Sequence, residues 1–524
     1  MTASTRPMTS GLLPSQGNTP SQPLRNPFRS DLIANFAGQG WAAVIQLIFI
    51  PLYIRFLGIE AYGLVGLYLV IFTIGRVLDF GLSPTITREL ARRSVIPGTA
   101  AESRDLVKTL QSIYWILGLS IGGAVILLAW LITSYWLGPS SLAPGDVHSA
   151  VMAMGILLAF QWPLAFYQGA LMGLQRQVLM ISVRATASTV SAVGAVLVLW
   201  LVSPTVMAYF TWQIAVNLIH VSLLAVLAWR SLPRCDRAPR FRLTIIKELW
   251  KFAAGTSVIM ALGIVLSQSD KLVVSKFLSL REFAYYSVAS TAVTGLFLFI
   301  HPVYNSLYPR LSSLVALGDE GGLRLHYRRG LEIVGILVFS ASALLIAFAP
   351  EILRLWTGDP LIAENGAWIL RFLAAGTALN GPMYIPLALQ LAVGWTSIGI
   401  RMNLFLLLTM IPLWIIMAIG HGAAGAASVW LILNVVQVLV VIPLMHRRVL
   451  RGEAPKILLS DFGVPILVAA CLVGGARVAI PEQTPSARLV AGILFTFVLS
   501  AVALGMVSPY MRGWLLGKIR KEQG

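Results

Sequence analysis

Residues 178–229 read VLMISVRATASTVSAVGAVLVLWLVSPTVMAYFTWQIAVNLIHVSLLAVLAW, and this stretch decides the fold class. Within it, Arg184 is the one residue that carries a full charge at neutral pH. A segment of about 20 mostly apolar residues is long enough to cross the hydrocarbon core of a membrane as a helix. Two such segments are present, 178–202 and 205–229. We therefore predict two transmembrane helices joined by a short turn.

The same pattern extends along most of the 524 residues. Hydrophobic residues make up 57% of the chain and charged residues 11%, with a mean hydropathy of +0.81. A soluble domain of this length could not bury so much apolar surface. We predict an all-α integral membrane protein with about fourteen transmembrane helices. The candidate spans run roughly over 32–56, 61–82, 109–136, 149–173, 178–202, 205–229, 249–275, 283–307, 331–353, 366–390, 396–420, 422–445, 458–480 and 487–508.

The net charge of +18 reflects membrane orientation. Lys and Arg concentrate in short segments on one side of the predicted membrane, which is the positive-inside pattern. We therefore expect no nucleic-acid partner, and we expect a bacterial inner-membrane location with both termini in the cytoplasm. Residues 1–30, rich in Ser, Thr, Pro and Gly, are predicted to be a disordered cytoplasmic tail. Residues 511–524 are predicted to be a basic cytoplasmic tail.

Short motifs recur about 220 residues apart, which indicates an internal repeat. Phe56-Leu57-Gly58 is echoed by Phe277-Leu278-Ser279, and Trp136-Leu137-Gly138-Pro139 by Trp356-Thr357-Gly358-Asp359-Pro360. Six helices return the chain to its starting side, so two copies would share one orientation and place a site between them. The expected division is a six-helix lobe over 31–230, a basic cytoplasmic linker over 231–247, a second six-helix lobe over 248–446, and two additional transmembrane helices within 447–510.

Charged residues inside the predicted spans are candidate functional residues, because a charge within a membrane is costly. The cations outnumber the acids, and this excess fits an anionic cargo. Arginine suits such a cargo because its planar guanidinium can bind a phosphate through two hydrogen bonds. The candidate substrate-binding residues are Arg76, Arg184, Arg371 and Arg401. The candidates for ion coupling or gating are Asp79, Asp270 and Lys271.

Each of these predictions has a structural alternative. Arg76 and Asp79 lie three residues apart on one helix face and could pair with each other. Arg184 and Arg401 lie near predicted cytoplasmic helix starts and could extend to lipid headgroups. Asp270 and Lys271 could anchor the outer end of their span. Two lone histidines on apolar spans, His220 and His301, are expected to hydrogen-bond between helices and not to bind a metal.

The sequence has no motif for catalysis or for a cofactor. We find no Gly-rich phosphate loop, no HExxH sequence and no nucleophile motif in a plausible setting. The two cysteines, Cys235 and Cys471, lie in a basic loop and in an apolar span, and their spacing suggests no metal or disulfide pair. We predict a protein that is not an enzyme, with no catalytic residues, no metal and no cofactor.

Two stretches carry a resemblance to a known family. Asn35 to Leu64, NFAGQGWAAVIQLIFIPLYIRFLGIEAYGL, runs on into LDFGLSPTITRELARR, which ends at Arg93. Both resemble the start of the polysaccharide flippases (Wzx-like O-antigen and exopolysaccharide transporters) of the multidrug/oligosaccharidyl-lipid/polysaccharide exporter superfamily. SQSDKLVVSKFLSLREFAYYSVAS, from Ser267 to Ser290, looks like the same family's second-lobe opening.

The resemblance implies two lobes that alternate access to the two sides of the membrane. It also implies an undecaprenyl-diphosphate-linked oligosaccharide as cargo, moved from the cytoplasmic to the periplasmic leaflet for O-antigen or exopolysaccharide synthesis. Membrane lipids, and a polymerase and glycosyltransferases of the same pathway, would then be its partners. The sugar and the driving ion stay open.

Three other functions compete with this interpretation. A cation-coupled multidrug exporter of the same superfamily would have twelve spans and favour acids in its cavity. A peptidoglycan-precursor flippase would share the fourteen spans and the anionic lipid cargo. A membrane polymerase or glycosyltransferase would carry a large outer loop or a soluble catalytic segment, and neither is seen in the sequence.

The charge asymmetry predicts the topology directly. Reporter fusions at Ser140 and Gly358 should report an outer location, because these loops are poor in Lys and Arg. Fusions at Pro239, at Gly321 and at the C-terminus should report the cytoplasm. A cytoplasmic signal at Gly358 would contradict both the span count and the repeat.

Overall fold

The computed structural model describes residues 40–41, 44–45, 47–75, 82–94, 96, 98–137, 142–395, 397–480, 486–508 and 512. Within these ranges the chain is helical or forms short connections, and no strand is present. The all-α fold class is therefore confirmed. The predicted tail over 1–30, and the tail over 511–524 apart from residue 512, lie outside the described residues.

The first half of the chain forms eight helices around α6. They are α1 Leu47–Leu57, α2 Ile59–Gly75, α3 Leu82–Ser94, α4 Ala100–Leu127, α5 Ala129–Leu131 with a π-helical turn over Ile132–Trp136, α6 Pro144–Gly173, α7 Gln177–Leu201 and α8 Val206–Ser231. Both α4 and α8 pack along α6, and α7 packs on α8. We call this set of helices the first half.

The second half repeats this order. Its helices are α9 Leu243–Phe277, α10 Leu280–Thr294, α11 Phe297–Leu317, α12 Glu320–Ala347, α13 Ala349–Thr357, α14 Pro360–Ala392 and α15 Ser397–His446. The starts of α2, α4, α6 and α7 recur about 220 residues later at α10, α12, α14 and α15. The helix order thus agrees with the repeat predicted from the short motifs.

The chain ends in two further apolar helices. After α16 Ala454–Lys456 and a π-helix over Ile457–Gly463 come α17 Val464–Ala479 and α18 Ser486–Val507. These two helices pack on each other and on α12. Phe348, Val473 and Leu489 lie buried in the small apolar core that joins them to the second half.

Many of these helices are suited to a membrane. Nine in the described ranges are long and apolar enough to cross one, or ten if α10 and α11 are counted together as one bent span. The short helices α1 and α2 are also apolar. The 50-residue α15 is broken at Gly422, whose φ of 62° and ψ of −154° only glycine adopts readily. The chain is a multi-pass membrane protein, and the number fourteen stays a prediction.

Basic residues collect at one end of the bundle, which we call the basic end. It contains the α3–α4, α8–α9 and α11–α12 connections and the segment that follows α15. The α8–α9 connection is fastened there to Asp105 near the start of α4. Arg237 and Arg242 form ion pairs with the buried Asp105 carboxylate, the latter at 2.8 Å, and the backbone N–H of Arg240 donates to it at 2.7 Å.

These contacts predict that Asp105 anchors the connection between the halves. The variant Asp105→Ala leaves two arginines without their shared partner, and we expect a loss of about 2 kcal/mol in stability because hydrogen bonds to charged groups are removed. The connection should then be cut faster by trypsin, which can be followed by gel electrophoresis. Asp236→Ala removes an exposed acid from the same connection and should leave the cleavage rate unchanged.

Candidate functional site

The two halves touch at the end opposite the basic end. There α2 lies against α10 with almost no space between the backbones. A Cβ atom on Gly63 would lie 2.8 Å from the carbonyl oxygen of Leu280, and one on Gly66 would lie 2.5 Å from Ser287 Oγ. Real Cβ atoms do not approach so closely, so this contact requires glycine at both positions.

Side chains around this contact complete the closure. Trp356 Nε1 donates to the Leu47 carbonyl at 2.7 Å, and Trp136 Nε1 donates to Ser275 Oγ at 3.1 Å. Lys276 lies over the Trp136 ring, 5.5 Å from its centre. Each contact joins the first half to the second. The end opposite the basic end is therefore closed in this structure.

The second half bends away from the first just past the contact. The helix α10 is buried along most of its length, but α11 leaves it at an angle of 45° after Gly295. In α11 the buried residues are Ile300, Leu311 and Leu314, which face the rest of the second half. The opposite side of α11 is left uncovered toward the basic end.

This uncovered side is polar. His301, Asn305, Tyr308 and Ser312 follow one another at intervals of four, three and four residues and so share one face of the helix. We call them the α11 polar face. No hydrogen bond within the described part of the chain uses the side chains of His301, Asn305 or Tyr308. Polar groups at membrane depth face protein or water-filled cavities and not lipid, so we interpret this face as the lining of a cleft that opens toward the basic end.

Aromatic rings flank the polar face. Tyr304 and Tyr308 are parallel, with ring centres 6.2 Å apart. Tyr384 from α14 stands edge-on to Tyr304 at 5.8 Å and to His301 at 5.7 Å. Such a surface combines flat apolar rings with hydroxyl and amide groups. Chemically it can hold a ligand that has both C–H faces and hydroxyl edges.

Two of the predicted arginines have no hydrogen-bond or ion-pair partner among the residues that the structure describes. Arg184, the eighth residue of α7, and Arg401, the fifth residue of α15, are both exposed. Arg184 lies close enough to His220 to act on it electrostatically. Both arginines lie near the starts of corresponding helices of the two halves, α7 and α15, about one helical turn apart in register.

The other predicted residues lie apart from this pair. Arg371 donates from Nε to the Ile346 carbonyl at 3.1 Å and lies 4.6 Å over the Trp368 ring, which favours a structural role at the end of α12. Asp270 is 2% exposed and accepts from the Tyr286 hydroxyl at 2.6 Å and from Lys271 Nζ at 3.2 Å. Its carboxylate is thus paired inside the protein.

The predicted Arg76–Asp79 pair lies outside the described residues. Its role in the cavity or in gating stays a prediction.

Comparison with known proteins gives the family. The model of a family described as "Polysaccharide biosynthesis protein" matches residues 52–360. The chain belongs to this family. A Shigella flexneri protein named "Putative O-antigen transporter" is 22% identical over 382 residues, which cover 72% of this chain and 87% of that protein.

Two solved structures share the fold of this family member. The lipid II flippase MurJ in an inward closed conformation has a TM-score of 0.70 at 15% identity, covering 93% of this chain and 100% of that one. An inward-facing multidrug resistance transporter of the MATE family has a TM-score of 0.66 at 15% identity, covering 79% of this chain and 96% of that one. At such low identity the likeness establishes the fold alone.

Reasoning from the sequence of this family member does not identify the α11 polar face. It predicts that His301 hydrogen-bonds between helices, and it assigns no role to Asn305 or Tyr308. The helical spacing of the four residues was a usable signal in the predicted span 283–307. The bend after Gly295 determines which face of that span is uncovered. No local sequence motif indicates the direction of this bend.

The close contact between α2 and α10 predicts the effect of a larger side chain. Gly66→Leu should push the halves apart at the closed end, because overpacking costs about 1–3 kcal/mol. A cysteine at Ser275, in a background without Cys235 and Cys471, should then react about tenfold faster with a membrane-impermeant maleimide. Gly123→Leu is the matched control, since a Cβ there meets no atom within 4 Å. Equal labelling rates in the two variants would contradict the closure.

Proposed function

We propose that this protein is a flippase that moves an undecaprenyl-diphosphate-linked oligosaccharide from the cytoplasmic to the periplasmic leaflet. Membership of the polysaccharide biosynthesis family and the flippase fold support this role. The observation that carries it is the α11 polar face with its flanking tyrosines, uncovered in a cleft whose far end is closed. The two halves would act as lobes that open the cleft to each side in turn.

The sugar head group is the part of the cargo that suits the α11 polar face. A sugar ring has apolar C–H faces, which can stack on Tyr304, Tyr308 or Tyr384. Its hydroxyl groups can exchange hydrogen bonds with Asn305 and His301. A site of this kind accepts many related sugars, because ring stacking depends on shape more than on one hydroxyl group.

The diphosphate is the part that suits Arg184 and Arg401. Both guanidinium groups are exposed and unpaired with described acids, so binding an anion would not first require breaking an ion pair. An excess of free arginines also favours an anionic cargo over the amphipathic cations of a multidrug exporter. Arg371 is a weaker candidate, since a carbonyl and an indole ring already hold it.

The polyprenyl tail needs an apolar path, because each buried methylene is worth about 0.8 kcal/mol. An open apolar groove of about 290 Å³ lies between α13 and α18, lined by Ile352, Leu355, Trp356, Val490, Ile493 and Leu494. On α17, Gly474 and Gly475 are exposed, and a Cβ on either would meet nothing within 4 Å. These glycines are thus not needed for close helix packing, and we propose that α17 and α18 guide the tail.

The basic end would face the cytoplasm of a bacterial inner membrane, as the positive-inside pattern requires. Cargo would then enter from the side where nucleotide-dependent glycosyltransferases build it. A polymerase on the outer side would consume it. These pathway enzymes are the partners that the proposed reaction implies.

Reconstitution tests the proposal. Liposomes would contain the purified protein and a polyprenyl-diphosphate oligosaccharide with a fluorophore on the sugar, and a membrane-impermeant quencher would report which leaflet holds it. Tyr304→Ala with Tyr308→Ala should slow flipping about tenfold, since each aromatic contact contributes about 0.5–1.5 kcal/mol. Arg184→Ala with Arg401→Ala should also abolish most flipping, and Lys should restore only part of it.

Two matched variants control for loss of folding. Tyr135→Ala and Arg354→Ala remove exposed side chains of the same types near the closed end and should leave flipping unchanged. Normal flipping in the tyrosine double variant would remove α11 from the cargo path. Transport of a cationic dye, with no movement of the lipid-linked sugar, would instead make the protein a multidrug exporter.

A further inference from the structure

A line of polar side chains lies between α7 and α8 of the first half. Ser191 Oγ of α7 donates to Gln213 Oε1 of α8 at 2.6 Å, and Trp212 Nε1 donates to the Ser191 carbonyl at 3.1 Å. The two helices are joined by a short turn and so run antiparallel. Seven residues, about two helical turns, from this contact toward the basic end lie Arg184 on α7 and His220 on α8. The register of the helix pair therefore places the arginine and the histidine opposite each other.

The ring of His220 makes no hydrogen bond with the described part of the chain. Its Nε2 atom is buried and has no partner. Most buried polar atoms in proteins are hydrogen-bonded, because leaving one without a partner costs free energy. The place of His220 on an apolar span predicts a hydrogen bond between helices, and this bond is not formed. The ring is therefore available to a ligand.

The second half repeats this arrangement. Asn217 and Asn434 are 217 residues apart, and each donates from Nδ2 to the backbone carbonyl four residues before it, at 2.9 Å and 2.8 Å. His220 and Gln437 each follow three residues after these asparagines. Gln437 Oε1 is also buried without a hydrogen-bond partner. The same place in both halves thus carries an unused polar atom, which helix packing alone does not explain.

The arginines belong to the same repeat. Counted back from the two asparagines instead of from the helix starts, Arg184 and Arg401 both lie 33 residues earlier. Both are exposed. The repeat therefore relates the pair of Arg184 and His220 in the first half to Arg401 and Gln437 in the second. The two pairs differ in one respect, because an imidazole can become a cation and a carboxamide cannot.

The surroundings of His220 contain one charged group at its level. The helix α8 packs on α6 and α7, and Arg184 is the charged residue of α7. It is close enough to His220 to act on the ring electrostatically. The other ionisable side chains of α6 and α8 are Asp146 and His148 in the first two turns of α6, Tyr167, which hydrogen-bonds to Trp115 of α4, and Tyr209 and Arg230, which lie eleven and ten residues from His220. No carboxylate in the described parts of these three helices therefore lies opposite the ring.

We propose that His220 is the pH-dependent partner of Arg184 in binding the diphosphate of the cargo. This inference rests on the proposed function and adds a second, conditional cation to the arginine. Arg184 repels a second positive charge in the empty site, whereas a bound diphosphate attracts one. Binding would therefore take up one proton from solution onto the imidazole. The affinity for the diphosphate should increase as the pH falls, because the proton is bound more tightly in the complex than in the empty site.

Calorimetric titration of the purified full-length protein in detergent tests the site. The probe is dibutyl diphosphate with one butyl group on each phosphate, a diester that keeps both negative charges over the pH range used. It should bind about fivefold more tightly at about pH 5.5 than at about pH 8, because an opposite charge nearby favours the imidazolium. His220→Gln should remove this difference. The variant should fold, since glutamine occupies the equivalent place in the second half.

Two further variants sharpen the test. His220→Lys supplies a permanent charge and should bind the probe tightly at both pH values. His148→Gln is the matched control, since His148 is a partly buried histidine of the same half near the closed end, and it should keep the full pH dependence.

Equal affinities of the unmodified protein at the two pH values, or no binding at either, would overturn the proposal. So would an unchanged pH dependence in His220→Gln. The liposome assay separates these failures from a failure of the proposed function. Flipping of the lipid-linked sugar with pH-independent binding of the probe would remove His220 from the site and leave the flippase role standing, whereas absence of flipping by the unmodified protein would remove both.

Discussion

The backbone contact between α2 and α10 is the interaction on which the rest of the structure depends. Gly63 and Gly66 allow the two halves to meet at one end with no side chain between them. Because α10 is held there, the 45° bend after Gly295 directs α11 away from the first half. The cleft, its closed end and its polar lining all follow from this one contact and one bend.

The surrounding lipid is a second constraint, because it determines where apolar and polar side chains can lie. Large apolar residues such as Leu127 and Val478 are almost fully exposed, at 84% and 87%, which suits contact with hydrocarbon chains. Polar residues are gathered instead into the cleft, into the Asp270–Tyr286 pair and into the ion pair between Arg328 and Asp461. Helices in a membrane protein can leave apolar surface exposed to lipid. The positions of their polar residues are therefore more informative about function than the positions of their apolar residues.

Much of the fold could be predicted from the sequence, because apolar length is a local property. The predicted spans 178–202 and 205–229 correspond to α7 Gln177–Leu201 and α8 Val206–Ser231 within a residue or two. The start of α4 at Ala100 lies nine residues before the predicted 109, since its first turns carry charged residues that bind the α8–α9 connection. A search for apolar segments does not detect the end of a helix whose first turns are charged and stabilised by ion pairs.

The site was harder to predict, because its residues are recognised by where they meet. Arg184 and Arg401 stood out from the sequence since charges are rare in spans. His301, Asn305 and Tyr308 are ordinary residues in a membrane helix, and only the bend shows that their face is uncovered.

The side-chain contacts that close one end have a kinetic consequence. Two indole hydrogen bonds and an ion pair between the half-exposed Arg281 and the buried Glu60, 3.8 Å apart, join the halves around the glycines. Neutral hydrogen bonds contribute about 0.5–1.5 kcal/mol each. These polar contacts add a few kcal/mol to the apolar packing of α2 on α10, and the two together hold this end closed. Domain movements of this kind typically take microseconds to milliseconds. A ligand opens such a latch only to the extent that it binds the opened state more tightly than the closed one.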